Sequence, residues 1–355
     1  MCINMISEQS KKRHNAFWEN EVLDRFMVNI GCESNPPPPP AGLIKQEYAV
    51  KKWTDIDYRV ALEGFRHETT TWYCDGFSRV FTNFGPGSLS ACIGGDFEPA
   101  EHTVWFDTKK VIKDWDDYPE IKLHRNSQMW RMTVDFTTKL CQSSNGRYHT
   151  SIADIGGSLD IVASLRGTQD LLMDLYDKPE KVKELSKKLR PIWRDAFYEL
   201  CNIISEYEDG YTTWLPIWCK GTYFPLQCDF SAMLSPEMFG EFVMPDLIYQ
   251  TEIMDRSIYH LDGPGQLAHV DQLLTIPRLN AIQWVPGDGN PDTTDPCWFE
   301  LYEKIQSAGK GIVLGVGHPE GIENLIKNIS PKGAYVTIWG CSEYDAKKIE
   351  EMIML

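Results

Sequence analysis

Three side chains that can bind a metal ion or transfer a proton follow predicted strands in the last hundred residues. His260 and Asp262 lie within the segment 259–265, and Cys341 lies within the segment 339–343. Each segment follows a short β-like run and precedes a helical pattern. In parallel α/β folds the carboxyl ends of the strands share one edge, and that edge carries the chemistry. We therefore expect the three side chains to converge there.

A zinc ion is one interpretation of this set. Catalytic zinc takes three protein ligands from nitrogen, oxygen and sulfur donors and keeps a fourth position open. In an extended segment, residues two apart face the same way, so His260 and Asp262 would point together. In the alternative interpretation, His260 and Asp262 hydrogen-bond each other or a substrate, and Cys341 is a small buried apolar residue.

Other candidate residues follow neighbouring predicted strands. Asp229 comes after an aromatic-rich segment, and His318 follows a glycine-containing loop. Together with Asp262 they are candidates for acid–base catalysis. Aromatic and thiol side chains could line an apolar pocket, although ordinary core packing is the alternative. The candidates for substrate binding are Trp214, Tyr223, Cys228, Trp284 and Trp339.

The elements that would position these residues alternate between strand and helix. Four β-like runs are predicted at 257–261, 281–285, 311–314 and 334–339, and helical patterns near 266–273, 296–307, 321–327 and 344–354. Strict alternation predicts a parallel sheet with helical crossovers. The length leaves room for about four more such units, which predicts a (β/α)8 TIM barrel. The chain has no Gly-x-Gly-x-x-Gly motif after a strand, which argues against a dinucleotide fold.

The upstream half gives a coarser prediction. A helix is predicted over about 7–32, a strand over 132–136, and a helix over 169–175. A proline run at 36–40 favours polyproline II, a semi-rigid spacer. We therefore divide the chain into an N-terminal helical arm and linker, 1–40, and a barrel domain, 41–355. Further helices are predicted to begin near Pro179 and at Ser235-Pro236, and Pro191 is predicted to kink or split the first of them.

Composition narrows the classes of function. The chain has 355 residues, 42% of them hydrophobic, and a net charge of −16, which indicates a globular protein and argues against nucleic-acid binding. We expect no membrane segment, because no run approaches about 18 apolar residues. The ten cysteines have no Cys-x-x-Cys spacing. We expect reduced thiols in a cytoplasmic protein.

From about Asn83 onward, the sequence resembles the uroporphyrinogen decarboxylase superfamily. The resemblance implies a TIM barrel. It also implies one of two activities: cofactor-free decarboxylation of porphyrinogens, or zinc-dependent methyl transfer to or from a corrinoid protein. The segments that carry it are Phe84-Gly85-Pro86-Gly87 with Gly94-Gly95, residues 163–168 with 174–177, residues 234–239, and Asp262-Gly263.

The departures from the superfamily pattern favour methyl transfer. The arginine-rich motif with which the decarboxylases grip propionates has no counterpart here. The methyltransferases carry His-x-Cys and a distant Cys, and this chain has His260-Leu261-Asp262 with Cys341, so a carboxylate replaces one thiolate. We expect a methyl group to move between a small methylated substrate and a corrinoid protein at a zinc site.

Two alternatives to this function stay open. One is a metal-free decarboxylase acting on a uroporphyrinogen-like or other carboxylated substrate, in which Asp229 or Asp262 stabilises a protonated pyrrole. The other is a non-catalytic barrel that binds a small aromatic ligand. The sequence does not decide whether the protein forms a homodimer.

Overall fold

The computed structural model describes residues 6–33, 49–68, 70–106, 109–317 and 319–354. The predicted proline spacer, the predicted domain boundary at residue 40 and His318 lie outside these ranges. Within them, no helix combines the length and the apolar character needed to cross a membrane.

The described residues form strands and helices that alternate through most of the chain. The strands are β1 (Met27–Glu33), β2 (Thr70–Cys74), β3 (Arg79–Phe81), β4 (Glu98–Pro99), β5 (Val104–Trp105), β6 (His149–Ser151), β7 (Tyr223–Leu226), β8 (Arg256–Asp262), β9 (Ala281–Val285), β10 (Gly311–Val316) and β11 (Ala334–Ile338). The α-helices are α1 (Glu8–Trp18), α2 (Ala49–Thr54), α3 (Ile56–Glu68), α4 (Leu89–Cys92), α5 (Gln128–Ser144), α6 (Ser158–Arg166), α7 (Thr168–Asp177), α8 (Pro179–Ser205), α9 (Pro236–Phe242), α10 (Met244–Glu252), α11 (Val270–Leu274), α12 (Phe299–Ser307), α13 (Ile322–Asn328) and α14 (Glu343–Met352).

A seven-stranded, mostly parallel sheet organises these elements. Its order is β2-β1-β11-β10-β9-β8-β7, so strands β7 to β11 lie side by side in chain order. Strand β1 pairs in parallel with β11, and β2 is antiparallel to β1 at the edge. Each parallel step from β7 to β11 crosses over through at least one helix. The predicted α/β class with a parallel sheet is therefore confirmed.

Hydrogen bonding does not close this sheet into a ring within the described residues. Strands β3 and β6 form a separate parallel pair, and an isolated bridge joins Ser151 of β6 to Thr212. Strands β4 and β5 form a small antiparallel pair. A mixed α/β fold is thus established, whereas the predicted eight-stranded barrel is not confirmed.

The two faces of the main sheet have different partners. One face, which includes Val28, Ile30 and Leu261, packs against the helices in the main core. The opposite face carries a second apolar cluster at the amino ends of the strands, which contains Tyr223 and Ile258. Phe17 and Trp18 of α1 pack into that second cluster. Helix α1 therefore covers the amino-terminal end of this second face, and polar residues occupy the same face further along the strands.

The helix predicted over 7–32 is wrong in its second half. Helix α1 ends at Trp18, and Asn20 takes a left-handed conformation with φ of 54°. Residues from Met27 onward then alternate between the two faces of the sheet as β1. Pairing with β11 gives that segment its hydrogen-bond partners, and tertiary pairing of this kind overrides local helix preference.

The strand predicted over 132–136 is also wrong, because this segment lies inside α5. The Ser127 side chain accepts a hydrogen bond from the Trp130 backbone N–H and caps the helix. Met129, Met132, Phe136 and Leu140 then recur at helical spacing and are buried.

The other predicted helices agree with the structure. Helix α7 contains the predicted helix over 169–175, and α9 begins at Pro236 with Ser235 as its N-cap. Helix α8 begins at Pro179 as expected, but Pro191 does not split it. The four strands and four helices predicted near the carboxyl end are confirmed.

Candidate functional site

Three donor side chains meet at the carboxyl edge of the main sheet. Asp229 follows the end of β7, and His260 and Asp262 lie at the end of β8. One ligand atom from each residue lies within 4.8 Å of the other two. This distance is short enough for the three residues to contact a single ion or a single polar group. The sequence placed His260 and Asp262 on one face, and the structure adds Asp229 to them.

The neighbouring strand orients the His260 ring. Gln283 lies opposite His260 in the β8–β9 ladder, and its Oε1 is 2.8 Å from Nδ1 of the imidazole. With the amide oxygen facing the ring, Nδ1–H donates and the proton of the neutral imidazole stays on Nδ1. Nε2 then keeps its lone pair, which is the form that binds a metal or accepts a proton.

Asp160 of α6 holds the backbone that carries Asp229. Its carboxylate accepts hydrogen bonds from the backbone N–H of Asp229, at 3.1 Å, and of Phe230, at 2.9 Å. Burial, followed by the negative charge of Asp229, raises the pKa of Asp160 to about 7. Although the Asp229 side chain is exposed, the surrounding protein removes part of its hydration, and this raises its pKa. The nearby His260 ring acts in the opposite direction and lowers that pKa.

A second buried carboxylate, Asp154, lies behind this cluster. It accepts a hydrogen bond from the Gly156 backbone N–H at 2.8 Å, and the Gln227 amide lies 3.4 Å from both of its oxygens. Burial, with a smaller contribution from the charge of Asp229, raises its pKa to about 6. The protonated form of Asp154 is therefore stabilised in the folded protein.

Asp154→Asn is expected to flatten the pH dependence of stability. A carboxyl pKa raised from 3.8 to about 6 means that the folded state binds more protons, so this group stabilises the fold below pH 4 and loses that contribution as pH rises towards 6. The contribution of Asp154 to the free energy of unfolding changes by at most about 3 kcal/mol between low and neutral pH. Urea unfolding at pH 4.5 and pH 7.5 measures it in both proteins. Equal losses of unfolding free energy in wild type and variant would contradict the assignment.

A cleft of about 330 Å³ opens beside Asp229 and Asp160. Its wall is formed by close backbone contacts: a Cβ atom at Gly156 would lie 2.7 Å from the Gly87 Cα, and one at Gly157 would lie 2.0 Å from the Gln227 carbonyl oxygen. Glycine is therefore required at both positions. The other lining residues are Pro86, Ala163, Ser164, Thr168, Phe230 and Met233.

Cys341 does not belong to the group formed by Asp229, His260 and Asp262. It follows β11, three strands along the sheet from β8. Gly340 takes a positive φ of 65°, and Cys341 then packs into the main core on the helix side, close to the Cys32 thiol. Burial raises the pKa of the Cys341 thiol to about 11, which opposes formation of a thiolate.

The residues proposed to bind substrate occupy different environments. Tyr223 is fully buried in the cluster beneath α1, where its hydroxyl contacts the Ile217 carbonyl oxygen. Trp284 is also fully buried, with its ring against Trp298. Cys228 is buried in the main core, Trp214 is half-buried against Phe81 and Phe224, and Trp339 is exposed after β11. None of the five is among the residues that line the cleft.

Sequence reasoning missed Asp160 and Gln283. An aspartate in the first turn of a helix such as α6 is common, because it interacts favourably with the helix dipole, and so Asp160 carried no signal. Gln283 did carry one. It is the only polar residue in the run Ala281–Val285. A single polar side chain in an apolar strand needs a hydrogen-bond partner, and the neighbouring His-x-Asp strand can provide one.

Comparison with known proteins gives a similarity of fold. No family model matches the chain, and no curated protein matches its sequence. Among solved structures, a methyltransferase from Methanosarcina mazei is similar over 97% of both chains, with a TM-score of 0.62 and 12% sequence identity. The chain thus has the overall fold of that methyltransferase.

Proposed function

We propose that the protein is a methyltransferase that moves a methyl group between a small methylated substrate and the corrinoid of a separate protein. The observation that carries the proposal is the group formed by Asp229, His260 and Asp262 at the carboxyl edge of a parallel sheet, beside an open cleft. The fold shared with a methyltransferase from Methanosarcina mazei and the superfamily resemblance of the sequence support it.

The donor set fits a catalytic zinc ion. One imidazole nitrogen and two carboxylate oxygens are ordinary zinc ligands, and three protein ligands leave a position for substrate. In this proposal Asp229 takes the place that the sequence pattern assigned to Cys341. Zinc bound there would lower the pKa of a substrate oxygen or thiol.

The protein's own residues would prepare the site. Gln283 keeps the His260 proton on Nδ1, so that Nε2 is available without a change of tautomer. Asp160 fixes the backbone on either side of Asp229 by accepting hydrogen bonds from the N–H groups of Asp229 and Phe230. Residues held by such secondary contacts stay close to the geometry that the reaction requires.

The same proposal includes the barrel architecture and the superfamily. Strands β7 to β11 follow one another in chain order, and β1 returns beside β11, as consecutive strands of a closed barrel would. The β3–β6 pair would fill the remaining arc. We retain a cytoplasmic location as part of this proposal.

Asp229→Asn and Cys341→Ser distinguish the two ligand sets. We expect Asp229→Asn to lose most bound zinc, because an amide is a much weaker ligand than a carboxylate. Cys341→Ser should keep it, because the thiol lies in the core away from the group. Zinc content after dialysis against a weak chelator gives the direct measurement.

Activity is measured on the same proteins with cob(I)alamin as the corrinoid and a panel of methylated amines, alcohols and thiols. The loss of cob(I)alamin absorbance reports methylation. The proposal predicts zinc-dependent loss with wild type and Cys341→Ser, and little with Asp229→Asn. Loss of zinc from Cys341→Ser alone would restore the sequence-based ligand set, and no methylation with any donor would overturn the function.

A further inference from the structure

The charged side chains that line the cleft beside Asp160 are all acidic. They are Asp160 and Asp229, and no lysine, arginine or histidine is among the lining residues that the structure describes. The described residues provide no cationic partner for Asp160, whose surroundings are dominated by burial and by the charge of Asp229. A carboxylate held away from water without a counter-charge is costly, and a bound cation would relieve that cost.

Beside the polar side chains of Ser164, Thr168 and Gln227, the lining has apolar surface that favours an organic cation over a bare inorganic one. Phe230 contributes a largely buried aromatic ring, and Met233 is 49% exposed at the rim. Ala163 and Pro86 add further apolar surface. A metal ion needs several oxygen or nitrogen ligands, whereas a methylated cation gains from apolar and aromatic contact as well as from negative charge.

The geometry separates this cleft from the proposed metal position. The backbone N–H groups of Asp229 and Phe230 hold the Asp160 carboxylate on the α6 side. The Asp229 side chain lies between the cleft and His260, since it lines the cleft and also approaches His260 and Asp262. A ligand in the cleft would therefore lie next to the group formed by Asp229, His260 and Asp262.

We propose that this cleft binds the methylated ammonium group of the substrate, with Asp160 as its counter-charge and Phe230 and Met233 against its methyl groups. The inference rests on the proposed function only in naming that molecule as the substrate. Choline is the probe, because its trimethylammonium head fits easily within a cleft of this volume. Its neutral isostere 3,3-dimethylbutan-1-ol has the same shape without the charge.

Isothermal titration of the purified protein tests the inference. Choline should bind at least about tenfold more tightly than 3,3-dimethylbutan-1-ol, and Asp160→Asn should remove that preference. Since Asp160→Asn can disturb the backbone that it holds, Met233→Lys provides a second test at an exposed position. Its ammonium should compete for the cleft and weaken choline binding about tenfold, whereas Met233→Gln, of similar length, should not.

The outcomes separate this inference from the proposed function. If the two probes bind equally, or if Met233→Lys and Met233→Gln bind choline alike, the ammonium site is refuted. Zinc binding and methylation of cob(I)alamin from other donors would then still uphold the function. If choline binds as expected but no donor methylates cob(I)alamin, the ammonium site stands and the methyltransferase proposal fails.

Discussion

Replacing His260 by alanine is expected to lower zinc affinity by more than about a hundredfold and to abolish methylation of cob(I)alamin. His260 supplies the only nitrogen of the proposed donor set, and the two remaining carboxylates form a weaker site. Gln283→Leu should have a smaller effect, about tenfold, because it removes the hydrogen bond at Nδ1 and leaves the imidazole in place. Competition with a chromophoric chelator measures both affinities.

His102→Ala is the matched control, since the His102 side chain is 85% exposed and lies outside the site. It should bind zinc like wild type. Circular dichroism should show that all three variants keep their helices. Equal zinc affinity in wild type and His260→Ala would remove the histidine from the site and with it the ligand set proposed here.

Replacing Asp75 by alanine is expected to destabilise the fold by about 3–5 kcal/mol. Asp75 is completely buried, and its carboxylate accepts hydrogen bonds from Arg25 at 2.8 Å, Arg13 at 3.0 Å and the Ser10 hydroxyl at 3.1 Å. The substitution would leave the buried Arg25 guanidinium without its counter-charge. Urea unfolding at neutral pH measures the loss.

Asp271→Ala is the control for this prediction. Asp271 pairs with Lys304 at 2.7 Å, but its side chain is 78% exposed, so that pair contributes less than about 1 kcal/mol. Similar losses of unfolding free energy in the two variants would mean that the Asp75 network does not anchor α1 to the sheet.

The carboxyl-terminal part of the fold could be predicted because its signals are local. The run Ala281–Val285 is apolar, short and bounded by turn residues, and its predicted limits coincide with β9. Ser235 and Pro236 together determine the start of α9, as a capping hydroxyl and a first-turn proline should. The strand prediction over 132–136 was wrong because it followed the β-branched residues in that short segment. The helical spacing of apolar residues extends through the whole of α5 and outweighs them.

Only part of the candidate site could be predicted from the sequence. His260 and Asp262 face the same way because residues two apart in a strand do so, and this follows from sequence. The position of Asp229 depends on how far β7 and β8 extend past one another, which only the assembled sheet determines. Cys341 follows the carboxyl end of β11 as the sequence predicts, but it packs in the main core on the helix side of the sheet, which the sequence does not show.

Under the proposed function, the position of helix α1 has a consequence for the order in which the reactants bind. Phe17 and Trp18 cover the amino-terminal end of the sheet face that carries His260, so the described structure offers reactants an approach from the opposite end, where the carboxyl edge of the sheet lies. A small methyl donor and a large corrinoid protein would then reach the site by the same route. In that function the methyl group passes directly from donor to corrinoid, so both must be present together. The small donor should therefore bind first, and a large excess of the corrinoid protein should slow turnover by blocking entry of the donor.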